Sequence, residues 1–301
     1  MEETKKRTLK RETKYNRTEA TAGIVFAMPW IIGFLLLTAF PFFYSVYLAL
    51  TNASTSSILV EFRGIANFRA ILTDPNFWRS TLYTLQYVVL SVPMALFFAL
   101  VLALLLNVQL KGSKVFRTLY YIPTLVNIVS VVFLWQQLLG PDGLFNWLLG
   151  IIGIDGPDWF RDYRFATFGL SIMGTWSVGG TVVIFLSSLI DVPKELYEAV
   201  EVDGGRAWAK FKSVTLPGIS PIIFYTLLTQ TIAAFQAFVQ PMLMTDGAYN
   251  TNYLAYEVFT TGFTVGRQGY AAAQSWIMMV IIGLAVVLIQ AARRRWAFYG
   301  E

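Results

Sequence analysis

Neither cysteine nor histidine occurs in the 301 residues. The first absence excludes disulfides, thiolate nucleophiles and Cys-based metal sites. The second removes the commonest general base and the commonest metal ligand. Charge is scarce as well: Asp, Glu, Lys and Arg make up 14% of the chain, where a soluble domain carries about a quarter. No Gly-x-x-x-x-Gly-Lys-Ser/Thr run occurs. Gly112-Ser113-Lys114 lacks the upstream glycine and the strand–helix setting of a phosphate loop, so the chain has no such route to ATP.

What is abundant is apolar. Hydrophobic residues make up 56% of the sequence, which places it in the membrane class. Six apolar runs predict spans at about 22–50, 82–106, 118–139, 165–190, 218–244 and 275–292. The fourth is interrupted by Gly179-Gly180. The first is too long for the core of a cleavable signal peptide. Residues 1–20 are polar and basic and read as a cytoplasmic tail, 21–297 as one membrane domain, and 298–301 as a cytoplasmic end. The expected fold is an all-α integral membrane protein with six transmembrane helices.

The net charge of +5 does not point to nucleic acid, because the basic residues follow the spans. Seven fall in the first 17 positions, and the connectors at 107–117 and 191–217 and the Arg293-Arg294-Arg295 run hold most of the others. By the positive-inside rule those segments and both termini are cytoplasmic.

The spans contain no Asp, Glu, Lys or Arg. Carriers driven by protons or ions usually hold intramembrane charges, so this lack weighs against a stand-alone carrier and points to an uncharged solute. An enzyme would have few acid–base groups to build from. Neutral polar groups remain: Thr226, Thr229, Ala233, Gln236 and Gln240 recur at three- and four-residue steps and are expected on one helix face. An uncharged, hydroxyl-bearing solute asks for amides, hydroxyls and aromatic faces, the last available from Trp176, Phe235 or Phe238. Stripes of small and polar residues also pack helices together, so both roles stay open for these positions. Gln86, Asn127, Gln136 and Gln137 are polar candidates without a stripe.

The most charged segment after the tail is Asp191–Pro217, between two uncharged runs. Pro193 suits a first helical turn, Glu195 suits the positive end of the helix dipole, and Gly204-Gly205 end the helix. A second short helix, Trp208–Val214, is expected before Leu216-Pro217. The order Glu198-Ala199-Val200, Asp203-Gly204, Leu216-Pro217 resembles the EAA loop of binding-protein-dependent ABC importer permeases, in its carbohydrate-uptake form. Val200 replaces the second alanine. Tyr121-Ile122-Pro123 after Arg117, then Trp135, Gly140, Gly143 and Asn146, and later Gly269–Ala273, are similar to stretches of the same family. Thr245-Asp246-Gly247-Ala248-Tyr249 departs from its usual Thr-x-Gly-Gly-Pro. The match covers about residues 22–297 and lacks the large external domain of the maltose-type subunit.

The resemblance implies an ABC type I importer permease for neutral di- or oligosaccharides, or, as runner-up, a glycerol phosphodiester or phosphate ester. It implies a second permease, two ATPase subunits that use ATP and Mg, and an extracytoplasmic solute-binding protein. No cofactor is expected on this chain. Glu198, Ala199, Asp203, Gly204, Leu216 and Pro217 would make the ATPase contact, and loops near 140–164 and 245–274 would face the binding protein.

Overall fold

The computed structural model describes residues 19–56, 59–107 and 113–293. The basic tail up to residue 18, residues 57–58, residues 108–112 of the connector after Asn107 and the stretch from Arg294 onward lie outside the described residues, and with them much of the basic pattern. The described chain is helical; its β structure amounts to a bridge between Thr51 and Phe62. Five helices among these residues are long and apolar enough to cross a membrane, and one bent pair brings the number to six.

Helix α1 (Glu19–Ala49) carries the first run. None of its most apolar window is buried, leaving Phe26, Trp30 and Leu37 on a surface that lipid or another chain must cover. A π turn at Leu35–Ala39 sits just before Pro41, and a second, Phe211–Thr215, sits just before Pro217. A proline has no N–H for the carbonyl four residues back and its ring crowds that carbonyl; the widened turn relieves both.

Short α2 (Ala66–Leu72) leads to α3 (Pro75–Asn107), which begins well before the expected residue 82. At 33 residues it is about 50 Å long, more than a ~30 Å hydrocarbon core. It is the axis of the molecule. Its first turns join Ala49, Ile71, Leu254, Tyr270 and Ala273 in one cluster through Phe77. Its last turns join Phe185, Val192, Val214 and Ile219 in another through Ala99, Ala103 and Leu106.

The third expected span is not one helix. Helix α4 (Ser113–Tyr121) tightens into a 3₁₀ turn at Ile122–Leu125, where Pro123 sits, and the chain breaks. Helix α5 (Ile128–Leu139) restarts with the Asn127 side chain accepting the Val129 N–H at 2.9 Å. The turn-rich stretch after it contains a further helix, α6 (Leu144–Ile151), and Ile128–Ile151 taken together is the third membrane-crossing helix, displaced towards the C-terminus from the expected 118–139.

The fourth span is α7 (Ala166–Thr175) and α8 (Gly179–Ile190), bent by 52° between them. A Cβ on Gly179 would overlap the carbonyl oxygen of Tyr120, so this glycine lets α8 start against the end of α4.

Helix α9 (Lys194–Val202) follows, with Pro193 at its N-cap rather than inside the first turn. The expected separate helix at 208–214 is instead the start of α10 (Ala207–Phe235), continuous with the fifth span. That span stops at Phe235, not Met244; Val239–Met244 forms the separate α11. Pro241 explains the break, since a continuing helix would need its N–H; in α11 it falls in the first turn, where none is needed. The polar stripe therefore runs over a helix end and does not share one helix. The long loop before the last span holds α12 (Leu254–Phe259), and α13 (Gln268–Arg293) starts seven residues before the expected Ser275.

Candidate functional site

Three helix breaks meet in the middle of the bundle: the start of α5, the bend between α7 and α8, and the end of α10. Between them lies a cavity of about 390 Å³. Helix α3 supplies Tyr87, Ser91, Val92 and Ala95, which recur on one helical face. The α7 side gives Ser171, Gly174 and Ser177, and the α10 end gives Gln230, Ala233 and Gln236. Phe238, Gln240 and the apolar Ile128, Ala234, Ala237 and Val239 complete the wall, which contains no charged residue. Irregular backbone inside a membrane protein is tolerated where it borders such a space, because freed N–H and C=O groups need partners there. The cavity thus follows from the breaks, and the breaks from Pro123, Pro241 and the turn before Gly179.

The expected path residues divide. Gln236 and Gln240 line this cavity, together with Ala233. Thr226 is buried on α10, its hydroxyl donating to the carbonyls of Ile222 (2.8 Å) and Ile223 (2.9 Å). Thr229 is exposed and its hydroxyl bonds back to Tyr225 and Thr226. Trp176 meets Trp135 edge-on at 6.4 Å and lines a second, smaller hollow with Leu102, Tyr120, Pro123 and Val182. Phe235 is buried against Val88 and Val92. Gln86 faces outward, Asn127 caps α5, and Gln136 donates weakly to Leu243 at 3.4 Å.

Sequence reasoning missed Tyr87, Ser91, Ser171, Ser177 and Gln230. Ser171, Gly174 and Ser177 fall at three-residue steps, a signal in the fourth run that the stripe in the fifth overshadowed. Gln230 donates to Thr181 at 2.9 Å and so fastens α10 to α8 at the cavity wall.

The charged segment forms an elbow at one end of the bundle. After α9 the Gly205 N–H donates to the Val200 carbonyl at 2.8 Å and the Gly204 N–H to the Glu201 carbonyl at 3.0 Å. With Gly204 at φ +77°, this is a Schellman cap. A Cβ on Gly204 would meet open space, so that glycine serves conformation alone. On Gly205 it would lie 2.5 Å from Val200 Cγ1, so that glycine serves the close turn between α9 and α10. Lys210 donates to Glu201 at 2.6 Å across the elbow, and that hydrogen bond and charge hold the Glu201 carboxyl below the usual range.

Val200 and Tyr197 point into the bundle, against the cluster built from Ala103, Phe185, Val214 and Ile219. Tyr197 also shares a hydrogen bond with Thr215 at 3.1 Å. Glu198, Ala199, Asp203 and Gly204 face outward, as do the large apolar Leu196, Val202 and Trp208. Leu216 is exposed and Pro217 half-buried at the start of the span.

No family model matches the sequence. A probable ABC transporter permease protein of Bacillus subtilis (strain 168), YesP, is 34% identical over 290 residues, covering 94% of both chains. The chain belongs to the permease proteins of ABC transporters. The lactose transport system permease protein LacF of Rhizobium radiobacter is 29% identical, over 91% of this permease and 94% of its own length. The trehalose/maltose transport system permease protein MalF of Thermococcus litoralis is 28% identical, over 94% and 97%. The fold is that of a chain in a bacterial alginate ABC transporter solved with an alginate pentasaccharide-bound periplasmic protein. That chain superposes with a TM-score of 0.80 at 22% identity, covering 93% of this permease and 96% of its own chain. The permease is thus an all-α integral membrane subunit of an ABC importer, not an enzyme, and ATP is used by a separate ATPase.

Proposed function

We propose that this permease carries neutral di- or oligosaccharides across the cytoplasmic membrane of a bacterium or archaeon by alternating access, through the cavity where α5, α7, α8 and α10 are broken. The single observation behind this reading is the chemistry of the cavity wall: the amides of Gln230, Gln236 and Gln240, the hydroxyl of Ser177, the aromatic side chains of Tyr87 and Phe238 among small apolar residues, and no charge. Such a wall offers hydrogen bonds in both directions to sugar hydroxyls and an apolar surface to their C–H faces. A phosphorylated solute would find no cation there.

The energy enters at the elbow. Its outward face mixes Glu198 and Asp203 with exposed Leu196, Ala199, Val202 and Trp208, a combination suited to a cleft on an ATPase subunit. Each of two ATPase subunits binds ATP and Mg; their closure moves this elbow and that of a second permease, and the breaks in the spans hinge open toward an extracytoplasmic solute-binding protein. The elbow and both termini then lie in the cytoplasm, in keeping with the basic residues around them.

Maltose and lactose uptake into proteoliposomes holding the full transporter tests the cavity. Gln236→Leu combined with Gln240→Leu should raise the half-saturating sugar concentration about tenfold or more while ATP hydrolysis without solute stays as in wild type. Uptake kinetics identical to wild type for every sugar transported would refute this placement of the path.

A further inference from the structure

At the end of the bundle away from the elbow, the chain between α1 and α2 folds onto the start of α13. The Thr55 N–H donates to Gly266 at 2.9 Å and the Gly269 N–H to Ala53 at 2.8 Å, while the Asn67 amide holds the carbonyls of Ala49 and Thr51. Gly269 permits this approach, since a Cβ there would overlap the Thr51 carbonyl oxygen. The result is a fixed cleft of about 260 Å³ lined by Asn52, Ser54, Arg63, Asn67, Arg267 and Tyr270.

The cleft holds two guanidinium groups and no carboxylate. Among the described residues the ion pairs are Arg164–Asp162 and Lys210–Glu201, so neither Arg63 nor Arg267 has an acidic partner. Arg267 lies over the Tyr270 ring at 4.4 Å, which orients it without neutralising it. The neighbouring acids stand at the edge of the cleft and bond to other groups than the guanidiniums: Asp74 accepts from the Tyr270 hydroxyl at 2.8 Å and Glu61 from the Asn52 amide at 3.5 Å, both residues of the cleft wall, while Glu257 accepts from Asn252 at 2.7 Å. Beside the cleft, Leu59, Val60, Phe62 and Ile65 are all strongly exposed.

We propose that this cleft receives an acidic side chain of the solute-binding protein, an Asp or Glu held by Arg63 and Arg267 with the apolar rim of Leu59, Phe62 and Ile65 packing around it. The proposal rests on the importer reading given above. Arginine forks match a carboxylate in two-bond geometry, and an arginine anchor beside exposed apolar side chains is the anatomy of a protein–protein hot spot. A free anion would need the guanidinium groups but would leave the apolar rim uncovered. The first external loop thereby becomes a docking element together with the 245–274 loop, which supplies Arg267 and Tyr270.

The test uses the complete transporter in proteoliposomes with the solute-binding protein that stimulates ATP hydrolysis by the wild-type complex. Arg63→Glu with Arg267→Glu should raise the half-maximal concentration of that protein about tenfold and flatten its dependence on salt, with ATP hydrolysis in its absence unchanged. Arg63→Gln with Arg267→Gln, which places no new charge in the loop, should shift it in the same direction by less. A stimulated wild type whose curve is unmoved by both double variants overturns the cleft alone. So does a shift in half-saturating concentration for an anionic sugar with no shift for the binding protein. A wild-type complex that ignores every binding protein overturns the importer reading and this proposal with it.

Discussion

Replacing Gly204 separates the shape of the elbow from the presence of the spans. Gly204 sits at φ +77° with nothing near its absent Cβ, so alanine there suffers only the left-handed backbone, about 1–2 kcal/mol. Proline is different in kind. Its ring fixes φ near −65° and it has no N–H, so Gly204→Pro both forbids the cap and removes the bond to the Glu201 carbonyl. A loss of about 3 kcal/mol or more lowers the population of the native elbow at least ~100-fold relative to its unfolded form. The spans, whose contacts to α3 lie elsewhere, should insert as before. ATP hydrolysis stimulated by the binding protein and sugar is the readout, in proteoliposomes with subunit content checked. Gly204→Ala should keep most of the stimulation, and Gly204→Pro should abolish it with the complex still assembled. Wild-type stimulation in the proline variant would refute the coupling role of this turn.

Other perturbations follow from single contacts. Gly179→Ala puts a methyl group onto the Tyr120 carbonyl, so α8 must move off α4 and the 52° bend must change; the assembled complex should melt several degrees lower and lose uptake. Both amide atoms of Gln274 are buried with no partner among the described residues, so Gln274→Met should leave thermal stability equal or raise it, read as the melting temperature in detergent. The Glu201–Lys210 bond depresses the carboxyl in the folded elbow, so its contribution is complete above the ordinary glutamate range and is lost as pH falls through the lower folded value. Protection factors of the α9 amides, taken relative to the intrinsic exchange rate at each pH, should therefore fall on acidification in wild type and less so in Glu201→Gln.

The membrane class and the number of spans were legible because length and apolarity are local properties. Their interruptions were legible only where a glycine pair marked one, at Gly179-Gly180. The break before Pro241 carried an equally clear local sign, a proline inside an apolar run, but apolarity continues across it to Met244 and concealed the helix end. The break at Val126–Asn127 was masked in the same way, although Pro123 and a capping asparagine stand beside it. These breaks make the cavity, so its wall was only partly foreseen: Gln236 and Gln240 lie on it, whereas Thr226, Thr229 and Trp176 do not. Serines at 171 and 177 mean little until three helix ends are brought together around them. The elbow was more readable, since charge, glycine and proline fall within one short segment. Only the continuity of α10 from Ala207 into the span escaped, because the π turn before Pro217 lets a helix pass where a proline suggests an end.

The most direct measurement of the central claim is sugar accumulation in sealed proteoliposomes that contain the full transporter, with ATP inside and the loaded binding protein outside. Accumulation of a neutral disaccharide against its gradient, present with ATP and absent with a non-hydrolysable analogue or with Gly204→Pro, is the predicted result. Accumulation that persists without hydrolysable ATP, or that ignores the state of the elbow, would contradict it.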